Sequence, residues 1–145
     1  MTTVELFKAL AVEMNAHPER YKILGDADFS MALRLQREDG GESIVGLRFE
    51  GLECVDVTEL VTDELASVDF WLAGPAATWQ AMFDDIKANG RATGRCTVNS
   101  LALLAVDVRL DGADPMGIDK FSRFNQTLQE YLDGAARIAG LVGVG

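Results

Sequence analysis

Asp84 and Asp85 are adjacent carboxylates, the arrangement that could share acid–base work on one reacting atom. Neighbouring helical residues point about 100° apart, however, so the two do not converge. They lie opposite Trp79 and Phe83 in the pattern, which reads as the solvated face of an amphipathic helix. His17 is the single histidine, and Pro18 follows it. One histidine without a partner cysteine cannot build a structural zinc site. A Ser-His-Asp triad would have to recruit His17, and no serine sits in a G-x-S-x-G elbow. Cys54 and Cys96 show neither CxxC spacing nor a disulfide framework. Both fall in strand-like stretches, where a free cysteine acts as a small buried hydrophobe. Gly90 to Arg95 imitates a phosphate loop but lacks GxxxxGK[ST], and it follows a helix rather than a strand. It reads as a helix stop and a turn. No catalytic residue, metal ligand or cofactor site is expected.

The elements that would position a site are easier to read. Thr2 with Glu5 forms a capping box for a helix with Leu6, Phe7, Leu10, Ala11 and Met14 on its apolar face. Phe29, Met31, Leu33 and Leu35 alternate with more polar residues, as do Val45, Leu47 and Phe49. Two such runs around Gly40-Gly41 make a hairpin. Leu52 to Val57 continues as a third strand, and Val68, Phe70 and Leu72 mark a fourth. Gly74-Pro75 then opens a helix whose face carries Trp79, Met82, Phe83 and Ile86, and Asn89-Gly90 ends it. Strands are predicted again at Cys96–Val98, Leu101–Leu104 and Val106–Leu110. Asp114-Pro115 starts a last helix, with Ile118, Phe121, Phe124, Leu128, Tyr131 or Leu132, and Ala135 on one side. The order predicts an α+β domain: a mostly antiparallel sheet covered by helices on one face. A single domain over 1–140 is expected, with 141–145 as a flexible glycine-rich tail.

Composition narrows the classes of function. The 145 residues are 48% apolar and 25% charged, which suits one globular domain. The net charge of −10 shows no basic patch for a nucleic-acid backbone and disfavours electrostatic docking on anionic lipids. No apolar run approaches the roughly 20 residues of a membrane span. The N-terminus lacks a secretory pattern, so a cytoplasmic location is expected. A homodimer is left open.

Large apolar side chains carry the stronger signal. Trp79, Met82, Phe83, Phe121, Phe124 and Leu128 lie on two helices. They face a sheet offering Phe29, Met31, Leu47, Phe49, Phe70 and Leu72. Such stripes fill a core or line an apolar cavity, and periodicity does not separate the two.

The segment from Ala66 to Leu110 resembles the sterol carrier protein 2-like (SCP2-like) lipid-binding family. Ala66 to Gly74 matches its strand ending in Gly-Pro, and Trp79 stands in the following helix. Gly94-Arg95 matches its Gly-Lys or Gly-Arg, and Leu101 to Leu103 its next apolar strand. Asp114-Pro115-Met116, then Phe121, Arg123, Phe124 and Leu128, is similar to the closing helix of bacterial members. Asn99-Ser100 departs from the family's usual Gly-Asp, and the connection from Asn89 to Gly94 is compact. The resemblance implies a five-stranded sheet, helices on one face and a hydrophobic tunnel between. It also implies non-catalytic binding or transfer of a sterol, fatty acid or acyl-CoA. Two other readings are open: an isomerase, cyclase or hydratase acting on an apolar substrate, or a structural partner-binding subunit.

Overall fold

A computed structural model describes residues 2–138; the tail expected at 141–145 lies outside them. Helix α1 (Thr3–Ala16) starts on the predicted capping box, with Thr2 Oγ1 accepting from the Glu5 amide and Glu5 answering to the Thr2 amide. A short helix, α2 (Glu19–Lys22), follows Pro18 and places Tyr21 in the core. Strands β1 (Ala27–Gln36) and β2 (Glu42–Gly51) form the predicted hairpin, turned by Gly40 at φ 89°. β3 (Glu53–Glu59) extends it antiparallel.

The chain then crosses back through a 3-10 turn (Thr62–Ser67) to β4 (Phe70–Pro75), which pairs with β1 in parallel. Alternation reveals a strand but not its direction, so the parallel pair is not legible in sequence. β5 (Arg109–Asp111) closes the order β3-β2-β1-β4-β5. The sheet is therefore mixed, with the other pairings antiparallel, as the mostly antiparallel expectation requires. Helices α3 (Ala76–Asn89) and α5 (Pro115–Asp133) complete the layer over one face. Gly90, at φ 82°, stops α3, and the Asp114 carboxylate accepts from the Met116 amide at the start of α5.

One prediction fails outright, and another shifts, the strand expected at Val106–Leu110 beginning only at Arg109. Cys96 to Leu104 contains no strand: Gly94–Cys96 is a 3-10 turn and Val98–Leu104 is a helix, α4. A short apolar run is ambiguous by periodicity. Thr97 resolves it here by capping, its hydroxyl accepting from the Ser100 amide, and leucine and alanine favour a helix.

Register puts Phe29 opposite Phe49 and Met31 between Leu47 and Phe70. These side chains meet α1, α3 and α5 in one cluster. On the opposite face Ala32, Ile44 and Leu65 form a small second cluster beneath the crossover turn. Gly46 belongs there, because a Cβ on it would stand 2.7 Å from a Leu60 methyl.

Candidate functional site

All the side chains expected to line an apolar site come together in the main cluster. Phe29, Met31, Leu47, Phe49, Phe70, Leu72, Trp79, Met82, Phe83, Phe121 and Leu128 are buried. Phe124 is half-buried and packs against them. Phe29 is the hub of this layer. Its ring stacks on Phe49 at 4.6 Å, on Phe124 at 5.1 Å and on Phe70 at 5.9 Å between centroids. Phe121 meets Phe70 edge-on at 5.6 Å. Offset stacks and edge contacts of this kind add to plain area burial.

Other members of the layer lie outside the expected site although their helical spacing is visible in the sequence. Phe7 from α1 and Tyr131 from α5 close the far end, with Tyr131 edge-on to Phe49 at 5.1 Å. Tyr131 is fully buried, and its hydroxyl donates to the Phe7 carbonyl at 2.7 Å. Burial holds its ionisation well above the usual tyrosine range. The Trp79 indole similarly donates to the Arg34 carbonyl at 3.3 Å. Both polar tips are thus satisfied inside an apolar layer.

Phe124 connects this layer to the surface. The start of α5 and the lead-in to β4 border a recess of about 710 Å³, with Val68, Asp69, Met116, Lys120 and Arg123 among its walls. Arg123 lies over the Phe124 ring at 5.1 Å. At the rim, Asp69 accepts from the Ser30 amide at 2.8 Å and pairs with Lys120 at 3.3 Å. Alternation along the strand points Asp69 away from the apolar face, and these partners place it at the seam between β1 and α5. Gly117 makes the close approach possible, since a Cβ there would collide with the Asp69 carbonyl oxygen.

The remaining chemistry-bearing residues have structural employment. Asp85 accepts from the Thr93 amide at 2.6 Å and from its hydroxyl, which holds its carboxyl below the usual range. Asp84 is exposed, and His17 sits beside Glu13 and Glu19 at the surface. Cys54 is buried in β3, where desolvation pushes its thiol up to about 12. On α5, Asp133 accepts from the Ala92 amide at 3.0 Å, and Gln129 accepts from the Val98 amide at 2.7 Å. Gln129 also donates to Asp133 at 2.9 Å. These two side chains bolt the α3–α4 connection to α5, which explains the compact turn at Asn89–Gly94. No cluster of three potential metal ligands exists among the described residues.

No family model and no curated protein matches the chain. Solved structures do. A conserved hypothetical protein of Thermus thermophilus, described as a possible sterol carrier protein, superposes with a TM-score of 0.70 at 20% identity. The match covers 100% of this chain and 94% of that one. A crystal structure of sterol carrier protein 2 superposes with a TM-score of 0.66 at 20% identity, covering 92% of this chain and 95% of that one. The chain has an SCP2-like fold. The SCP2-like architecture accounts for the mixed five-stranded sheet and the helical layer over its aromatic face. At this identity the likeness speaks for the fold, and the site rests on the residues described above.

Proposed function

We propose that this SCP2-like protein is a non-catalytic carrier of an apolar small molecule, a sterol, fatty acid or acyl-CoA. The ligand is held between the sheet and the helices by the aromatic and methionine layer centred on Phe29. A cytoplasmic location belongs to the same reading; no described helix is long and apolar enough to cross a membrane. The observation that carries the proposal is the aromatic stack itself, which reaches half-buried Phe124, stacked on Phe29 and covered by Arg123 of the recess wall. The Asp69 carboxylate at the recess and the Tyr131 hydroxyl within the layer are engaged in structural hydrogen bonds, which supports a carrier over an enzyme.

The energetics suit this role. Burying about 10 methylenes contributes roughly 8 kcal/mol gross. Association and ordering costs reduce that figure. A Kd in the micromolar range corresponds to about 8 kcal/mol net, so only long or rigid apolar ligands reach it.

The test is titration with a fluorescent fatty acid and a fluorescent sterol, supported by native mass spectrometry. The native protein is expected to take up at least one probe. Phe124→Asp is expected to weaken uptake about tenfold, equal to about 1.4 kcal/mol. Absence of uptake of either probe would refute the carrier reading.

A further inference from the structure

Apart from aromatic and cysteine side chains, Asp133 and Thr127 are the polar residues buried among the described residues, and they differ. Asp133, 6% exposed, accepts from the Ala92 amide and from Gln129. Thr127, 4% exposed, makes no side-chain hydrogen bond among the described residues. A helical threonine ordinarily turns its hydroxyl back to the carbonyl three or four residues earlier. Here that bond is absent. No fully enclosed side-chain nitrogen or oxygen lacks a partner among the described residues, so the Thr127 hydroxyl must reach solvent through a narrow gap. Packing gives no reason for a hydroxyl at this position. Valine has the same shape, and a hydroxyl withdrawn from water without a partner costs stability. Threonine is also a weaker helix former than leucine.

Thr127 stands at the margin of the aromatic layer. Residues three and four apart meet on a helix surface. Thr127 therefore lies between Phe124 and Tyr131, whose rings pack on Phe29 and Phe49 at 5.1 Å each. Arg123, four residues before Thr127, covers the Phe124 ring. Ligand sites are mostly apolar, with a few polar groups that fix orientation. An unbonded oxygen beside an apolar stack has the position of such a group.

Charge selects the end of the ligand it would meet. Lys120 is paired with Asp69, and Glu130 lies 4.0 Å from Arg137. That leaves Arg123 against Asp119, four residues earlier on the same helix, both exposed. This edge of α5 thus has no net positive charge to hold a carboxylate or the phosphates of acyl-CoA. The chain as a whole, at −10, supplies none from further away. A neutral hydroxyl has no such requirement, and it can both donate to Thr127 and accept from it.

We propose that Thr127 is the polar anchor of the ligand site and that the ligand is an apolar alcohol, straight-chain or sterol. The alcohol oxygen bonds to the Thr127 hydroxyl while the hydrocarbon lies along Phe124 and Phe29. This inference rests on the carrier reading and narrows its ligand classes to one head group.

The experiment compares native protein, Thr127→Val and Thr127→Ser. Dehydroergosterol is titrated by its own fluorescence. Dodecanol and dodecanoate compete with a neutral naphthalene dye that has no hydroxyl, at about pH 8, where the acid is ionised. Native protein is expected to bind the dye and at least one alcohol. Binding of the sterol alone or of dodecanol alone supports the anchor equally and tells the two sources apart. Thr127→Val is expected to bind the alcohol about five- to tenfold more weakly, the loss of one hydrogen bond, with dye affinity unchanged. Thr127→Ser keeps the hydroxyl and should keep native affinity. Thr127→Val should unfold at or above the native temperature; a lower one overturns the proposal by showing that the hydroxyl has a structural partner.

Equal alcohol affinity in Thr127→Val and native protein also overturns it, the hydroxyl then meeting water alone. So does native protein that binds dodecanoate more tightly than dodecanol, or that binds the dye and neither alcohol. Each of these results leaves the carrier intact. Native protein that takes up none of the ligands, dye included, refutes the carrier itself.

Discussion

Replacing Gly117 with alanine sets helix propensity against packing. Alanine in a helix interior is favoured over glycine by about 1 kcal/mol, so propensity alone predicts a more stable protein. The structure predicts the opposite sign. A Cβ at position 117 would collide with the Asp69 carbonyl oxygen and stand 3.0 Å from its Cα and carbonyl carbon. Those are backbone atoms held against β1 by the Asp69 amide's bond to the Ser30 carbonyl, so no side chain can swing aside. Relief requires α5 to move off the β4 lead-in, and overpacking of this kind costs about 1–3 kcal/mol. After the propensity gain of about 1 kcal/mol, a net loss of up to about 2 kcal/mol is expected. Urea denaturation should show a lower midpoint with an unchanged slope. Thermal unfolding should fall by up to roughly 8 °C, given about 3–4 °C per kcal/mol for a domain of this size. Because Asp69 and Gly117 border the recess at the start of α5, moving α5 off β4 should make fatty-acid uptake faster. A Gly117→Ala protein more stable than the native one would refute the reasoning.

Tyr131→Phe keeps the ring contacts and removes one buried hydroxyl; the Phe7 carbonyl remains within α1, so the loss should be about 1 kcal/mol by denaturation at pH 7. The pH dependence lies on the alkaline side. Folded Tyr131 and Cys54 both hold their protons more tightly than the ordinary values of 10.0 and 9.0. Their contribution is complete below those values and is lost as pH rises toward the folded ones, because only the unfolded chain ionises there. Unfolding followed from about pH 8 to 11 should show falling stability, with a shallower slope in Tyr131→Phe. An equal slope in both proteins would count against this account. The cysteines should also separate with a thiol reagent: Cys96, half-buried, reacts in the folded protein, whereas buried Cys54 reacts only on unfolding.

The sequence makes local devices plain because they are closed within a few residues. Thr2 with Glu5, the Gly40 turn, the Gly90 stop and the Asp114-Pro115 start each carry their own hydrogen bond or dihedral preference. The aromatic layer is legible for a related reason, since periods of 2 and 3.6 sort side chains by face before any contact is known. What escapes depends on distant partners. The parallel β1–β4 pair is fixed by the crossover turn, which packs Leu65 on Ala32, not by anything in either strand. Gly117 looks like an ordinary helical glycine until Asp69 stands against it. Asp133 and Gln129 look like surface residues of α5, yet each satisfies an amide more than 30 positions away. Helix α4 reads as strand because four apolar residues in a row have no period, and the Thr97 cap is the available clue.

The bolts from α5 carry a consequence for motion. Gln129 and Asp133 lie one turn apart and grip the amides of Val98 and Ala92, one on each side of the turn that leads into α4. Any shift of α5 that widens the space above Phe29 must also draw these two side chains away. The Ala92 and Val98 amides then lose their acceptors together and exchange with solvent. Hydrogen–deuterium exchange at these two positions, with and without fatty acid, therefore reads the position of α5 directly. Exchange that rises at both amides in step would show the last helix parting from the α3–α4 connection in a single movement.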